Sequence, residues 1–201
     1  MVPGFRLFWY IEPVVTQTTY LATRQVMVGR VAVGGGAPIS IQSMATTPTT
    51  DVRRTVDEIK RMEEAGVDIA RVSVPDIESV RATEQIVRQI NVPLVADIHF
   101  NYRMALEVAG TGIAKLRINP GNIGSKERVA AVVAKAKEYK LPIRIGVNGG
   151  SLEKDLLLKY GFPTPEAMVK NETLTFLAWA KAAQGQNDSS RECKQDEIVS
   201  G

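Results

Sequence analysis

Four short segments of the chain, RVSV (71–74), VADIH (95–99), KLRIN (115–119) and RIGVN (144–148), alternate apolar with polar residues. Strand side chains point to opposite faces with a period of two, so each segment reads as a strand with one apolar and one polar face. Val72, Val74, Ala96, Ile98, Leu116 and Ile118 fall on the apolar face, continued by Ile143, Ile145 and Val147. Arg71, Ser73, Asp97, His99, Arg117, Asn119, Arg144 and Asn148 fall on the other. The stretches between them have helical spacing, which makes the strands parallel and lays helices over the apolar face. The polar face then looks into an enclosed interior. Burying cations without partners is costly, so three arginines on that face predict an anionic ligand.

The rest of the chain fits the same alternation of strand and helix. VMVGRVAV (26–33), followed by Gly34, Gly35 and Gly36, reads as a small hairpin closing one end of the fold. PISIQSM (38–44) is expected as the first buried strand. Thr50 or Asp51 caps a helix whose apolar positions are Val52, Val56, Ile59 and Met62, and Gly66 ends it. Helices over 76–90, 101–110 and 125–139 separate strands at 93–99, 114–119 and 142–148, with Ser125 as an N-cap and Pro93 and Pro142 at strand starts.

An open doubly wound sheet is covered on both faces, and its central strands are apolar throughout, whereas here one face stays polar from strand to strand. The expected fold class is therefore α/β, a TIM-type (β/α) barrel, but an incomplete one with about five of the eight strands that closure needs. Residues 1–22 form a leader of unclear structure, 23–168 the partial barrel that binds substrate, and 169–201 a tail. The tail's polar stretch, QGQNDSSRECKQDE (184–197), buries too little surface to order itself, so disorder or weak helix is expected.

A net charge of +3 and a pI near 9.0 come from basic residues dispersed along the elements, which favours a small anionic substrate over nucleic acid. The apolar segment FRLFWYI (5–11) is short, broken by Arg6 and ended by Glu12 and Pro13, so no membrane span is expected and the protein reads as cytoplasmic. Cys193 is the single cysteine, which excludes a disulfide framework or a multi-cysteine metal site within the chain. His99, the sole histidine, has no second histidine or cysteine near it, so hydrogen bonding to a phosphate or bridging oxygen is favoured over metal ligation. Asp97 reads as a residue that orients His99 or an arginine. The competing reading of the arginines is structural ion pairing with Asp97 or helix carboxylates.

PISIQSM (38–44), RVSVP (71–75), VADIHF (95–100), LRINPGNIG (116–124) and IRIGVNGGSLEKD (143–155) closely resemble, in order, the 4-hydroxy-3-methylbut-2-enyl diphosphate synthase family of the non-mevalonate isoprenoid pathway. The resemblance covers about Thr23 to Met168. It implies an N-terminal TIM-type barrel that binds 2-C-methyl-D-erythritol 2,4-cyclodiphosphate, and a C-terminal domain holding a 4Fe-4S cluster through three cysteines and a glutamate. It also implies flavodoxin or ferredoxin as electron donor, a head-to-tail homodimer, and reductive ring opening to 4-hydroxy-3-methylbut-2-enyl diphosphate. The diphosphate-binding positions it implies are Arg71, Arg117, Arg144 and Asn148, with His99 beside them; Asn119 and Asp97 complete the candidate set. No catalytic or metal-ligating residue is assigned. With half the barrel and the cluster domain missing, the chain is expected to be truncated and inactive alone. The alternatives are a pterin-binding barrel of the dihydropteroate synthase kind and a non-catalytic anion-binding remnant.

Overall fold

The computed structural model describes residues 23–119, 123–146, 152 and 154–171. The expected leader (1–22), Asn148, Cys193 and most of the tail lie outside those residues.

Two short strands, β1 (Val26–Val28) and β2 (Val31–Val33), pair antiparallel around a two-residue turn at Gly29 and Arg30. They precede a parallel sheet of five strands in sequence order: β3 (Gln42–Met44), β4 (Ile69–Ser73), β5 (Leu94–Ile98), β6 (Lys115–Ile118) and β7 (Ile143–Ile145). Between them run α1 (Val52–Glu64), α2 (Ile77–Val87), α3 (Tyr102–Val108) and α4 (Lys126–Glu138); α5 (Lys154–Tyr160) and α6 (165–171) follow β7. The described residues thus form an α/β unit of five consecutive barrel strands, as the alternation predicts.

Side chains at the helix starts fix where each helix begins. Asp51 accepts from the Arg54 N–H at 3.2 Å, Asp76 from Ser79 at 2.8 Å and Asn101 from Arg103 at 3.1 Å, satisfying donors that have no partner within the helix. Asp51, not Thr50, is therefore the cap of α1. Ser125 occupies the N-cap position of α4 but makes no side-chain capping bond. α3 is shorter than expected, because the chain tightens into a 3-10 turn at Ala109–Thr111 and stops at Gly112, whose φ of +89° is left-handed. α6 runs through residue 168.

The apolar face of the sheet carries the core. Val72, Val74, Ala96, Ile98, Leu116 and Ile118 are fully buried against α1 to α4, where they meet Val56, Ile59, Ile86, Ala105 and Val132. Burying each Val, Ile or Leu of this set stabilises by about 1.5–3 kcal/mol relative to exposure. A second, smaller cluster sits on the opposite face at the N-terminal ends of the strands, where Val28, Ile69 and Val95 pack with Val31, Val33 and Ala114. The hairpin therefore closes the bottom of the partial barrel and leaves the C-terminal end open.

One strand departs from expectation. Only Gln42–Met44 of the 38–44 segment is strand, and Ile39 and Ile41 are 97% and 58% exposed. β3 is an edge, paired only with β4 among the described residues, so its apolar lead-in has no neighbour to bury against. Among the described residues no helix is long and apolar enough to cross a membrane.

Candidate functional site

The parallel register determines which polar side chains meet. Ser73, Asp97, Arg117 and Arg144 stand opposite one another across β4 to β7, and one layer nearer the hairpin Arg71, Val95 and Lys115 do the same. All lie on the inner face, and the layer of Ser73, Asp97, Arg117 and Arg144 is the one nearer the C-terminal strand ends, where barrel enzymes place their sites.

Asp97 is the hub of this layer and is fully buried. Arg117 Nη1 donates to its Oδ1 at 2.9 Å, Arg71 Nη2 lies 2.9 Å from Oδ2, and His99 Nε2 is 3.7 Å from Oδ2. The Arg71 contact is ionic in geometry, leaving Asp97 Oδ2 without a hydrogen bond. Arg117 Nη2 also donates to the Gly146 carbonyl at 3.4 Å. The ion-pairing reading thus holds for two of the three arginines, yet it does not exhaust them. Among the described residues Arg71 Nε and Asn119 Oδ1 are buried with no hydrogen-bond partner, so ion pairing with Asp97 does not use all the polar capacity of this face.

Arg144 shares the face by register but is exposed, because β7 is the other edge of the described sheet. Asn148 lies outside the described residues. His99 is partly exposed at the rim beside Phe100, their ring centroids 6.2 Å apart. Lys115, which the face assignment from sequence omitted, is half-buried on the same side; burial, and then the neighbouring charge of Arg144, hold its pKa below the usual lysine value. The signal was in hand: Lys115 precedes Arg117 by two residues, the strand period. The inner positions of β4 to β7 therefore carry Arg71, Arg117, Arg144 and Lys115 against one carboxylate, Asp97, four cations to one anion. A face so biased attracts anions, and guanidinium offers a planar fork matched to phosphate oxygens.

A second device shapes the mouth. Glu58 on α1 accepts from the N–H and hydroxyl of Thr46, at 2.9 and 2.8 Å, and from those of Thr47, at 2.9 and 2.6 Å. Burial pushes the Glu58 carboxyl up, but these four bonds more than offset it and bring its pKa down to about 2. The loop so held borders an open cleft of about 710 Å³ over β3 and β4, lined by Met44, Thr47, Thr50, Ser73 and Ser79 among others. Ser73 belongs to both the cleft and the Asp97 layer. Nothing in local sequence spacing pairs Glu58 with Thr46 and Thr47, which are brought together only when α1 folds back along β3.

The family model of the GcpE TIM-barrel domain matches residues 23–194. The chain belongs to this family. Similar proteins include the 4-hydroxy-3-methylbut-2-en-1-yl diphosphate synthase (flavodoxin) of Cellvibrio japonicus, 62% identical over 149 residues, 74% of this chain and 40% of the relative. The enzymes of the same name from Pseudomonas paraeruginosa and Gluconobacter oxydans are 60% and 61% identical over 149 residues. The chain spans about two-fifths of the length of these relatives. Among solved structures, dihydropteroate synthases from Yersinia pestis and Xanthomonas albilineans superpose with a TM-score of 0.53 at 12% and 15% identity, covering 80% and 81% of this chain and 60% and 62% of theirs. At that identity the likeness is one of fold. The GcpE match begins at Thr23, where the described structure begins, and contains every inner-face residue named above; it also runs beyond residue 168.

Proposed function

We propose that the inner face of this GcpE domain binds the linked phosphates of 2-C-methyl-D-erythritol 2,4-cyclodiphosphate. The whole protein would then carry out the reductive ring opening to 4-hydroxy-3-methylbut-2-enyl diphosphate, in the isoprenoid pathway. The carrying observation is the pair of guanidiniums, Arg71 and Arg117, fixed 2.9 Å from the two oxygens of one buried carboxylate with Lys115 and Arg144 on the same face. Family membership and the names of the relatives support the same reading.

In this proposal Asp97 does not touch substrate. It orients two arginines from the strands on either side of its own, so that each keeps donors free for a phosphate oxygen and neither has to reorganise when the anion arrives. His99, at the rim, donates to a phosphate or bridging oxygen, and Asn119 and Asn148 add polar contacts. The surplus cations offset the charge of the two phosphates. The 4Fe-4S cluster implied by the resemblance, if present in the whole protein, supplies two electrons for the ring opening. This chain's residues do not fit it: there is one cysteine, and among the described residues no three His, Cys, Asp or Glu side chains gather as metal ligands. The role proposed for this chain is binding and orientation; flavodoxin or ferredoxin as donor, and a homodimer, belong to the whole protein.

Competition calorimetry on the purified chain tests the reading. The cyclodiphosphate is expected to bind, to be displaced by inorganic pyrophosphate, and to bind more weakly in Arg117→Ala. Tighter binding of a pterin diphosphate would favour the dihydropteroate synthase alternative and contradict the proposal.

A further inference from the structure

The geometry points to Gly146 as a positioning residue for Arg117, a place on the inner face that stays without a side chain so that the guanidinium can occupy it. The inference rests on the anion-binding reading above and deepens it.

Ile145 on β7 pairs with Ile118 on β6, so position 146 is the next inward-facing place beyond Arg144, diagonal to Arg117. Its backbone is tied to β6, with its N–H donating to the Ile118 carbonyl at 2.9 Å. Its own carbonyl accepts from Arg117 Nη2 at 3.4 Å. A Cβ at this position would lie 2.5 Å from Arg117 Nε, 2.7 Å from Nη2 and 2.9 Å from Cζ. Real Cβ atoms do not approach other atoms so closely, so one partner has to move.

Backbone conformation does not explain this glycine. Gly29, Gly66, Gly112 and Gly124 among others have positive φ, a region that favours glycine, whereas Gly146 does not. What it supplies is space. The atoms in that space are the far end of a long flexible side chain, so alanine there is expected to leave the strand in place and push the guanidinium aside. Arg117 would then lose its alignment between Asp97 Oδ1 and the Gly146 carbonyl, and with it the orientation in which its donors meet phosphate.

The test measures affinity of the purified chain for inorganic pyrophosphate in wild type, Arg117→Ala, Gly146→Ala and the double variant, alongside thermal melts. Gly146→Ala is expected to bind about tenfold more weakly, the loss of one charge-assisted hydrogen bond. The double variant is expected to bind no more weakly than Arg117→Ala alone, because the second change has nothing left to displace. Wild-type affinity in Gly146→Ala beside a clear loss in Arg117→Ala overturns the role of Gly146 and leaves the anion site standing, as does strict additivity of the two losses. Wild-type affinity in Arg117→Ala removes the anion site itself and this role with it. Should Gly146→Ala fail to fold, the double variant decides: folding regained once Arg117 is gone supports the proposal, and continued failure contradicts it.

Discussion

At the scale of single residues the site is governed by how one buried carboxylate divides its two oxygens between two arginines. Replacing Asp97 with Asn keeps the shape and removes the charge, leaving Arg71 and Arg117 facing each other. Breaking a fully buried ion pair costs about 3–5 kcal/mol; these guanidiniums are partly exposed, so Asp97→Asn is expected to lose about 2 kcal/mol in urea denaturation. Added pyrophosphate should recover part of that loss by binding the folded state. Lys115 gives the opposite prediction. Its folded-state pKa is lowered by burial and by Arg144, so keeping it charged costs stability at neutral pH, a cost that fades as pH rises through the lowered value. Lys115→Met is expected to raise the melting temperature by a few degrees without anion, and by less with pyrophosphate present. The inward residues themselves were legible, because alternation with period two needs no knowledge of partners. The exposure of Arg144 was not, since it depends on β7 having no neighbour on one side among the described residues.

At the scale of elements, two fastenings set how the strands present the site. Glu58 holds the loop after β3 through four hydrogen bonds, and its pKa stands at about 2 against an ordinary 4.5. A carboxylate depressed in the folded state contributes stability that is fully present above its unfolded value and is lost as pH falls through its folded value. Glu58→Gln is therefore expected to cost about 1 kcal/mol at neutral pH, discounted because the group is only half-buried. The gap from wild type should close as pH drops from 4.5 toward 2, which thermal melts across that range would show. At the other end, Gly29 at the hairpin tip has φ +57° and leaves a Cβ only 3.1 Å from the Pro93 side chain. Gly29→Ala is expected to destabilise by about 1 kcal/mol, read as a lower melting temperature. The hairpin was legible from Gly29 and Arg30 between two valine-rich triplets. The Glu58 fastening was not, because it joins residues 11 and 12 positions apart through tertiary packing. The reading of 38–41 as buried strand failed for a related reason: apolar residues mark a strand, but burial needs a covering neighbour, and Ile39 has none among the described residues.

At the scale of the whole molecule, a helix-covered apolar face and a hairpin-plugged floor leave one inner surface on which, among the described residues of β4 to β7, cations outnumber carboxylates four to one. On the proposed reading this surface takes an anion, and the pull it exerts on a pyrophosphate is then expected to weaken as salt rises. The most direct measurement is side-chain NMR of arginine Nε–Hε groups in the purified chain during titration with 2-C-methyl-D-erythritol 2,4-cyclodiphosphate. Saturable shifts are expected at Arg71, whose Nε is buried without a hydrogen bond among the described residues, and at Arg117. Shifts confined to arginines of the helices, with Arg71 and Arg117 unmoved at saturation, would contradict it.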